Sequence, residues 1–248
     1  MHSLYTNFIY LPLYNGLVFL AAHLPFFDAG VIIILFTILV KVILYPLSRK
    51  AARTQIAMKM YEPEMNAIKE KYKTDKQAQA LHVMNLYRDK KINPFSSIFL
   101  LLIQLPIFFA LYKIFYSTGL SAPDASLLYS FVKIPATVNM HFLGLIDVTS
   151  KSIVLAVLAA VSQYFQIKLS VPAAAPKTGK GGFQDDLARS MQTQMKYVFP
   201  IMILFIAYNV AAALAIYWIT SNLFMIGQEI VVRRQMMGKK EKVAELVR

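Results

Sequence analysis

One apolar run constrains this chain more than any other feature. It extends from Ala29 to Leu47, is interrupted by a single charge at Lys41, and opens onto Ser48-Arg49-Lys50. A helix needs about 20 such residues to cross ~30 Å of hydrocarbon. A cation at that depth costs roughly 2.5–3.5 kcal/mol on insertion scales, so Lys41 is a functional candidate. Composition favours a membrane span over a soluble core helix: 57% of residues are hydrophobic, against about 45–50% in soluble domains. The formal net charge is nevertheless +13, and the charges are bunched between the apolar blocks. That is the pattern of an integral membrane protein with basic loops facing the cytoplasm. The same basic excess also suits contact with nucleic acid, including ribosomal RNA.

Further apolar blocks cover Pro94–Tyr116, Ser152–Leu169 and Tyr197–Val232. As one helix the last would be ~52 Å long at ~1.5 Å per residue, so two short spans are expected, turning near Asn209-Val210-Ala211-Ala212. The expected organisation is an N-terminal segment 1–28, a first span 29–48, a polar segment 49–92 and a second span 93–117. A loop 118–151, a third span 152–170, a linker 171–195 rich in Pro, Gly and Ala, spans 196–210 and 211–232, and a basic tail 233–248 follow. No Lys or Arg precedes Lys41, and the 118–151 loop has only Lys133 and Lys151, whereas 49–92 and 233–248 are rich in both and Lys177, Lys180, Arg189 and Lys196 lie between the third and fourth spans. Five spans with the N-terminus outside and the C-terminus in the cytoplasm put every basic cluster on one side.

Phe8–Phe27 is apolar but interrupted by Pro12, Asn15, Gly16, His23 and Pro25. It reads as an amphipathic helix lying in the outer interface, with an additional span as the alternative. The 49–92 segment is rich in Ala, Met, Glu, Gln and Lys, all good helix formers. Apolar residues recur near helical spacing at Ile56, Met60, Ile68 and Tyr72, then at Leu81, Met84 and Tyr87. A cytoplasmic helical hairpin is expected, turning at Thr74-Asp75, with Pro63 marking a break in its first arm. Its methionines, Met58, Met60, Met65 and Met84, suit contact with varied apolar segments because Met side chains adapt; they equally suit packing between the arms.

On the first span Thr37, Lys41, Tyr45 and Ser48 form one polar stripe on one helix face. Either Lys41 snorkels towards the interface or its charge sits in a water-filled cavity within the bundle. No acidic residue in a firm span offers it a permanent partner, so an unpaired ammonium is expected. Other spans contribute Gln104, the pair Gln163 and Gln166, and two adjacent faces, Tyr217-Ser221-Gln228 and Trp218-Asn222-Glu229. Each of these also suits ordinary hydrogen bonding between helices.

The absence of cysteine removes disulfides, thiolate metal sites and thiol nucleophiles. No HExxH, GxSxG or P-loop pattern is present, no span carries a His near a Ser, and no paired intramembrane carboxylates appear. Enzymatic chemistry, a metal and a cofactor are therefore not expected. The start lacks a Lys/Arg-rich segment, so no secretory signal is expected either.

Several stretches together resemble a known family. Phe36-Thr37-Ile38-Leu39-Val40-Lys41-Val42-Ile43-Leu44-Tyr45-Pro46-Leu47 is similar to the first core span of YidC-type membrane protein insertases (the YidC/Oxa/Alb family). Tyr61-Glu62-Pro63-Glu64-Met65 and Ile68-Lys69-Glu70-Lys71-Tyr72 resemble the start of its cytoplasmic hairpin. Asn93-Pro94-Phe95 with Leu102-Ile103-Gln104-Leu105-Pro106-Ile107-Phe108-Phe109-Ala110-Leu111-Tyr112 resembles its second span, and Tyr217-Trp218-Ile219-Thr220-Ser221-Asn222-Leu223 its last. The resemblance is to the short form, without the large extracytoplasmic domain of some members.

The resemblance implies an all-α membrane protein of the bacterial plasma membrane. Five helices would surround a hydrophilic groove open to the cytoplasm and to lipid, lined by Lys41, Thr37, Tyr45, Gln104, Gln163, Gln166, Tyr217, Trp218 and Ser221. The implied partners are nascent membrane proteins, received first by the hairpin (Met58, Met60, Pro63, Met65, Met84), and the lipid bilayer. A ribosome docked on the basic tail and a Sec-type translocon are further implied partners. Lys41 stands where the family carries an arginine, which keeps the charge but loses the two-pronged donor geometry. Trp218 falls where several members have a tyrosine, and Val210-Ala211-Ala212-Ala213 replaces a Pro-Ser-Gly turn. The competing class is a small-anion transporter with Lys41 as counter-charge, but the spans show no inverted repeat or paired broken helices.

Overall fold

The computed structural model describes the backbone of residues 2–93, 96–117, 119–170, 190 and 193–246, and their side chains except at 2–3, 96–103, 117 and 239–246. The protein is an all-α membrane protein. Its helices are α1 (His2–Tyr5), α2 (Leu11–His23), α3 (Ala29–Ile43), α4 (Tyr45–Met60), α5 (Glu62–Lys71), α6 (Lys76–Asp89), α7 (Ser96–Ser117), α8 (Ile153–Ser170), α9 (Phe199–Asn209) and α10 (Ala212–Leu246). Two short antiparallel strands, β1 (His141–Phe142) and β2 (Ile146–Asp147), pair His141 with Asp147 and Phe142 with Ile146. By length and apolarity α8 and the Ala212–Gly238 stretch of α10 can each cross a bilayer, and α3 with α4 makes a broken third candidate. The 171–195 linker lies almost wholly outside the described residues.

Prolines explain most of the irregularities. Pro12 has no N–H for the carbonyl of Phe8, and the chain widens there into a π turn, Thr6–Tyr10, with the Leu11 N–H donating to Thr6. The same happens before Pro200: the π turn Gln194–Val198 precedes α9, and the Phe199 N–H donates to Gln194. The first apolar run does not stay helical to Ser48. α3 stops at Ile43 and a new helix begins at Tyr45, because Pro46 cannot donate to Val42 and its ring crowds that carbonyl. By contrast Asn15 and Gly16 do not interrupt α2, which ends only before Pro25.

The backbone divides into two compact units. The first contains residues 1–44, 101–163 and 200–224. Its core includes Tyr14, Leu17, Ile32, Ile33, Leu111, Ile114, Ile203 and Leu214, all essentially inaccessible to solvent. Buried polar groups tie the 119–152 loop to the helices. Asn15 on α2 donates to the Leu127 carbonyl at 2.9 Å and accepts from the Tyr129 N–H at 2.6 Å. The Tyr14 hydroxyl accepts from the Asp124 N–H at 2.6 Å.

The same loop satisfies the open donors at two helix starts, which have no partners within their own helices. The Ala29 N–H of α3 donates to Asn139, and the Ala212 and Ala213 N–H groups of α10 donate to Ser150 and Val148. Asp28 caps α3 by accepting from Val31 at 3.0 Å, while its other oxygen accepts from the Leu143 N–H at 3.1 Å. Gly30 is required by this arrangement: a Cβ there would lie 2.2 Å from the Phe142 ring.

The second unit contains residues 45–100, 164–199 and 225–248. Ala52 and Ile56 of α4 pack on Val232 of α10, with Met60 and Met236 alongside. α5 and α6 form the helical hairpin. It turns through Thr74, and Asp75 caps α6 by accepting from Gln77 and Ala78. The Tyr72 and His82 rings stack at 4.2 Å between its arms, and the Tyr87 hydroxyl donates to the Met65 sulfur at 3.2 Å. The break before α5 falls at Tyr61, which leaves Pro63 in the first turn of that helix, where its missing N–H costs no helical bond.

Candidate functional site

Lys41 lies two residues before the end of α3, and only 8% of its surface is exposed. Its ammonium donates to the Gln104 side-chain oxygen at 3.0 Å, and the Gln104 amide donates in turn to the Tyr217 hydroxyl. Residues of α3, α7 and α10 thus meet in one polar chain within the first unit. The group that holds Lys41 is a neutral amide. Among the described residues no carboxylate lies within ion-pair distance of it. The charge is oriented but not neutralised.

Beside this chain the Trp218 indole N–H donates to Gln163 at 3.0 Å, its ring centroid 5.2 Å from that of Phe108. Asn222 donates to the Ser162 hydroxyl at 3.0 Å. Tyr217 and Ser221 are buried one turn apart on α10. Thr37 is also buried, but its hydroxyl donates to the Ile33 carbonyl at 2.6 Å, one turn back on its own helix.

Tyr45 and Gln166 belong to the second unit. There Gln166 donates to the Ser170 hydroxyl at 3.1 Å, and that hydroxyl donates to the Glu229 carboxylate. Lys59 donates to the Leu169 carbonyl, one of the open acceptors in the last turn of α8. Ser48 donates to Gln228 at 3.0 Å, and Arg49 to Gln235 at 2.7 Å. Of the hairpin methionines, Met60 packs against the α4–α10 contact, Met65 meets Tyr87, Met58 is half-buried and Met84 is exposed. Among the described residues no three His, Asp or Glu side chains are placed to share a metal ion.

The family model described as 60Kd inner membrane protein matches residues 20–240. The chain belongs to this family. Its members include proteins named membrane protein insertase YidC. The one from Clostridium tetani is 36% identical over 210 residues, covering 85% of this chain and 84% of the relative. The one from Fusobacterium nucleatum is 34% identical over 206 residues, covering 83% of this chain and 86% of the relative. The Francisella tularensis subsp. novicida protein is 32% identical over 213 residues, which are 86% of this chain but 34% of that longer protein.

Several residues of this YidC-family chain escaped the sequence reading. Asp28 carried a usable signal, a carboxylate directly before an apolar run. Asn15 was visible as a polar residue in an apolar stretch, but spacing alone suggests a helix breaker rather than a tether for a distant loop. Ser162 sits four residues before Gln166 on α8, yet nothing local links it to Asn222. Glu229 was noted, while its partner Ser170 emerges only from the packing of α8 with α10 in the second unit.

Proposed function

We propose that this chain is a membrane protein insertase of the bacterial plasma membrane, with no covalent chemistry of its own. Nascent membrane proteins enter a positively charged groove lined by Lys41, Thr37, Gln104, Gln163, Tyr217, Trp218 and Ser221, within a five-helix core open to the cytoplasm and to lipid. The hydrophilic tail of a substrate cannot cross ~30 Å of hydrocarbon cheaply. A polar groove reaching partway shortens that path. Lys41 attracts acidic residues of the tail, and the apolar span slides laterally into lipid, where its burial drives the process. The α5–α6 hairpin receives substrate first, and the basic C-terminal segment docks a ribosome or meets a Sec-type channel. The N-terminus is outside and the C-terminus cytoplasmic, in line with the distribution of Lys and Arg.

One observation carries this reading within the insertase-named family: a buried ammonium held by the uncharged Gln104, with no carboxylate opposite it among the described residues. Such a charge keeps its field for an arriving anion. The test is insertion of a single-span protein with an acidic tail into vesicles carrying the purified chain. Lys41→Arg should retain insertion and Lys41→Glu should abolish it. Wild-type insertion by Lys41→Glu would overturn the charge role. Transport of a small anion without insertion would replace the insertase reading altogether.

A further inference from the structure

We infer that the β1–β2 hairpin tip, Leu143–Leu145, together with Phe26 and Phe27, is an interfacial anchor seated in the phospholipid headgroup region. Phe142-Leu143-Gly144-Leu145 closes as a tight turn, the Leu145 N–H donating to the Phe142 carbonyl at 3.0 Å. Both central residues have positive φ, 52° at Leu143 and 72° at Gly144. Turns of this type favour Asn-Gly, because a bulky side chain is strained at positive φ. Leu143 is held there with 66% of its surface exposed, and Leu145 with 82%. Contacts among the described residues therefore do not account for leucine at either position.

The tip is not a loose loop. Its Leu143 N–H is bound by Asp28, and Phe142 fills the space left by the missing side chain of Gly30. These contacts hold it beside the α2–α3 connection, where Phe26 is 95% exposed and Phe27 is also exposed. The connection leads directly into α3, whose outward stripe of Leu35, Ile38, Leu39, Val42 and Ile43 is likewise exposed. In a membrane protein such a stripe faces lipid. The tip and the two phenylalanines continue that apolar exterior at the helix start, where hydrocarbon gives way to headgroups. A rigid apolar cluster facing water would be an association hazard, whereas in the interface its side chains reach the acyl boundary. The turn also keeps its own backbone bonded, as that environment demands.

The occupant we assign is phospholipid, and the chain's lack of cysteine makes the test direct. Single variants Leu145→Cys and Phe26→Cys carry a nitroxide in phospholipid vesicles. Leu39→Cys serves as the lipid reference and Gln77→Cys, exposed on α6, as the water reference. Collisions with oxygen, which partitions into lipid, are compared with collisions with a water-soluble nickel chelate. The labels at 145 and 26 should shift from the Gln77 ratio towards the Leu39 ratio. A ratio equal to that at Gln77 at both sites would overturn the anchor. Low collision with both reagents would also overturn it, by revealing a protein surface over the tip.

Discussion

Lys41 and Gln104 share a hydrogen bond of 3.0 Å in which the donor is charged and the acceptor is not. A neutral acceptor fixes the direction of the ammonium while leaving its field intact. Gln104→Glu preserves the size of the side chain but creates a partly buried ion pair, which an arriving anion would have to displace. Insertion of acidic-tailed substrates should fall at least about tenfold, equivalent to ~1.4 kcal/mol. Gln104→Leu, which releases both the ammonium and the Tyr217 hydroxyl but adds no charge, should have a smaller effect. Vesicle insertion followed by protease protection measures both, and equal activities for the two variants would remove the electrostatic argument.

Gly30→Ala should weaken the first unit. The added carbon would meet Phe142 at 2.2, 2.5 and 2.8 Å, three contacts on one side chain already held by its hairpin. Overpacking of this kind costs about 1–3 kcal/mol, read as a lower thermal midpoint in detergent. Phe142→Ala in the same chain should recover part of the loss. An unchanged midpoint for Gly30→Ala alone would mean that the ring moves aside freely.

The apolar runs made the main helices legible in the sequence, because burial from water and lipid exposure both leave a composition signal. The turn near Asn209 was legible too, since the Tyr197–Val232 block is too long for one span, and α9 ends at that residue. Thr37 and Lys41 share α3 and are both buried, but Tyr45 and Ser48 lie on α4, so the four residues of the stripe do not share one helix. The break at Leu44 was hidden because hydrophobicity continues through it, although Pro46 was in plain view. The pairing of Lys41 with Gln104 could not be read, since the residues belong to different helices and no local pattern couples them. Asn15 shows the same limit more sharply. Its role is to satisfy Leu127 and Tyr129, backbone groups more than a hundred positions away.

Asp147, at the end of β2, has its carboxyl held below the usual carboxylate range, chiefly by the Thr149 hydroxyl at 2.7 Å and also by the Thr149 N–H at 2.9 Å. A lowered folded-state pKa stabilises the fold above the ordinary carboxylate value, and that contribution is lost as pH falls through the lowered one. The group faces water, so its effect on stability is small. Thr149→Val removes the hydroxyl bond but keeps the N–H, so the Asp147 titration should move upward. Carbon-13 detected pH titration of the side chain measures this, and an unmoved midpoint would show that the hydroxyl bond is absent in solution.

The boundary of the hairpin decides what a deletion tests. Removing residues 53–88 takes away Ile56 and Met60, which pack with Ala52 against Val232 and Met236. That deletion also removes Lys59 from the Leu169 carbonyl at the end of α8. It should therefore destabilise the second unit as well as impair substrate reception. A shorter deletion of residues 62–89, bridged by a flexible linker, removes α5 and α6 but spares α4. The shorter variant should keep the wild-type thermal midpoint in detergent while losing crosslinking to a stalled nascent chain. If it instead unfolds with the longer one, the hairpin is part of the scaffold and not the receiving arm.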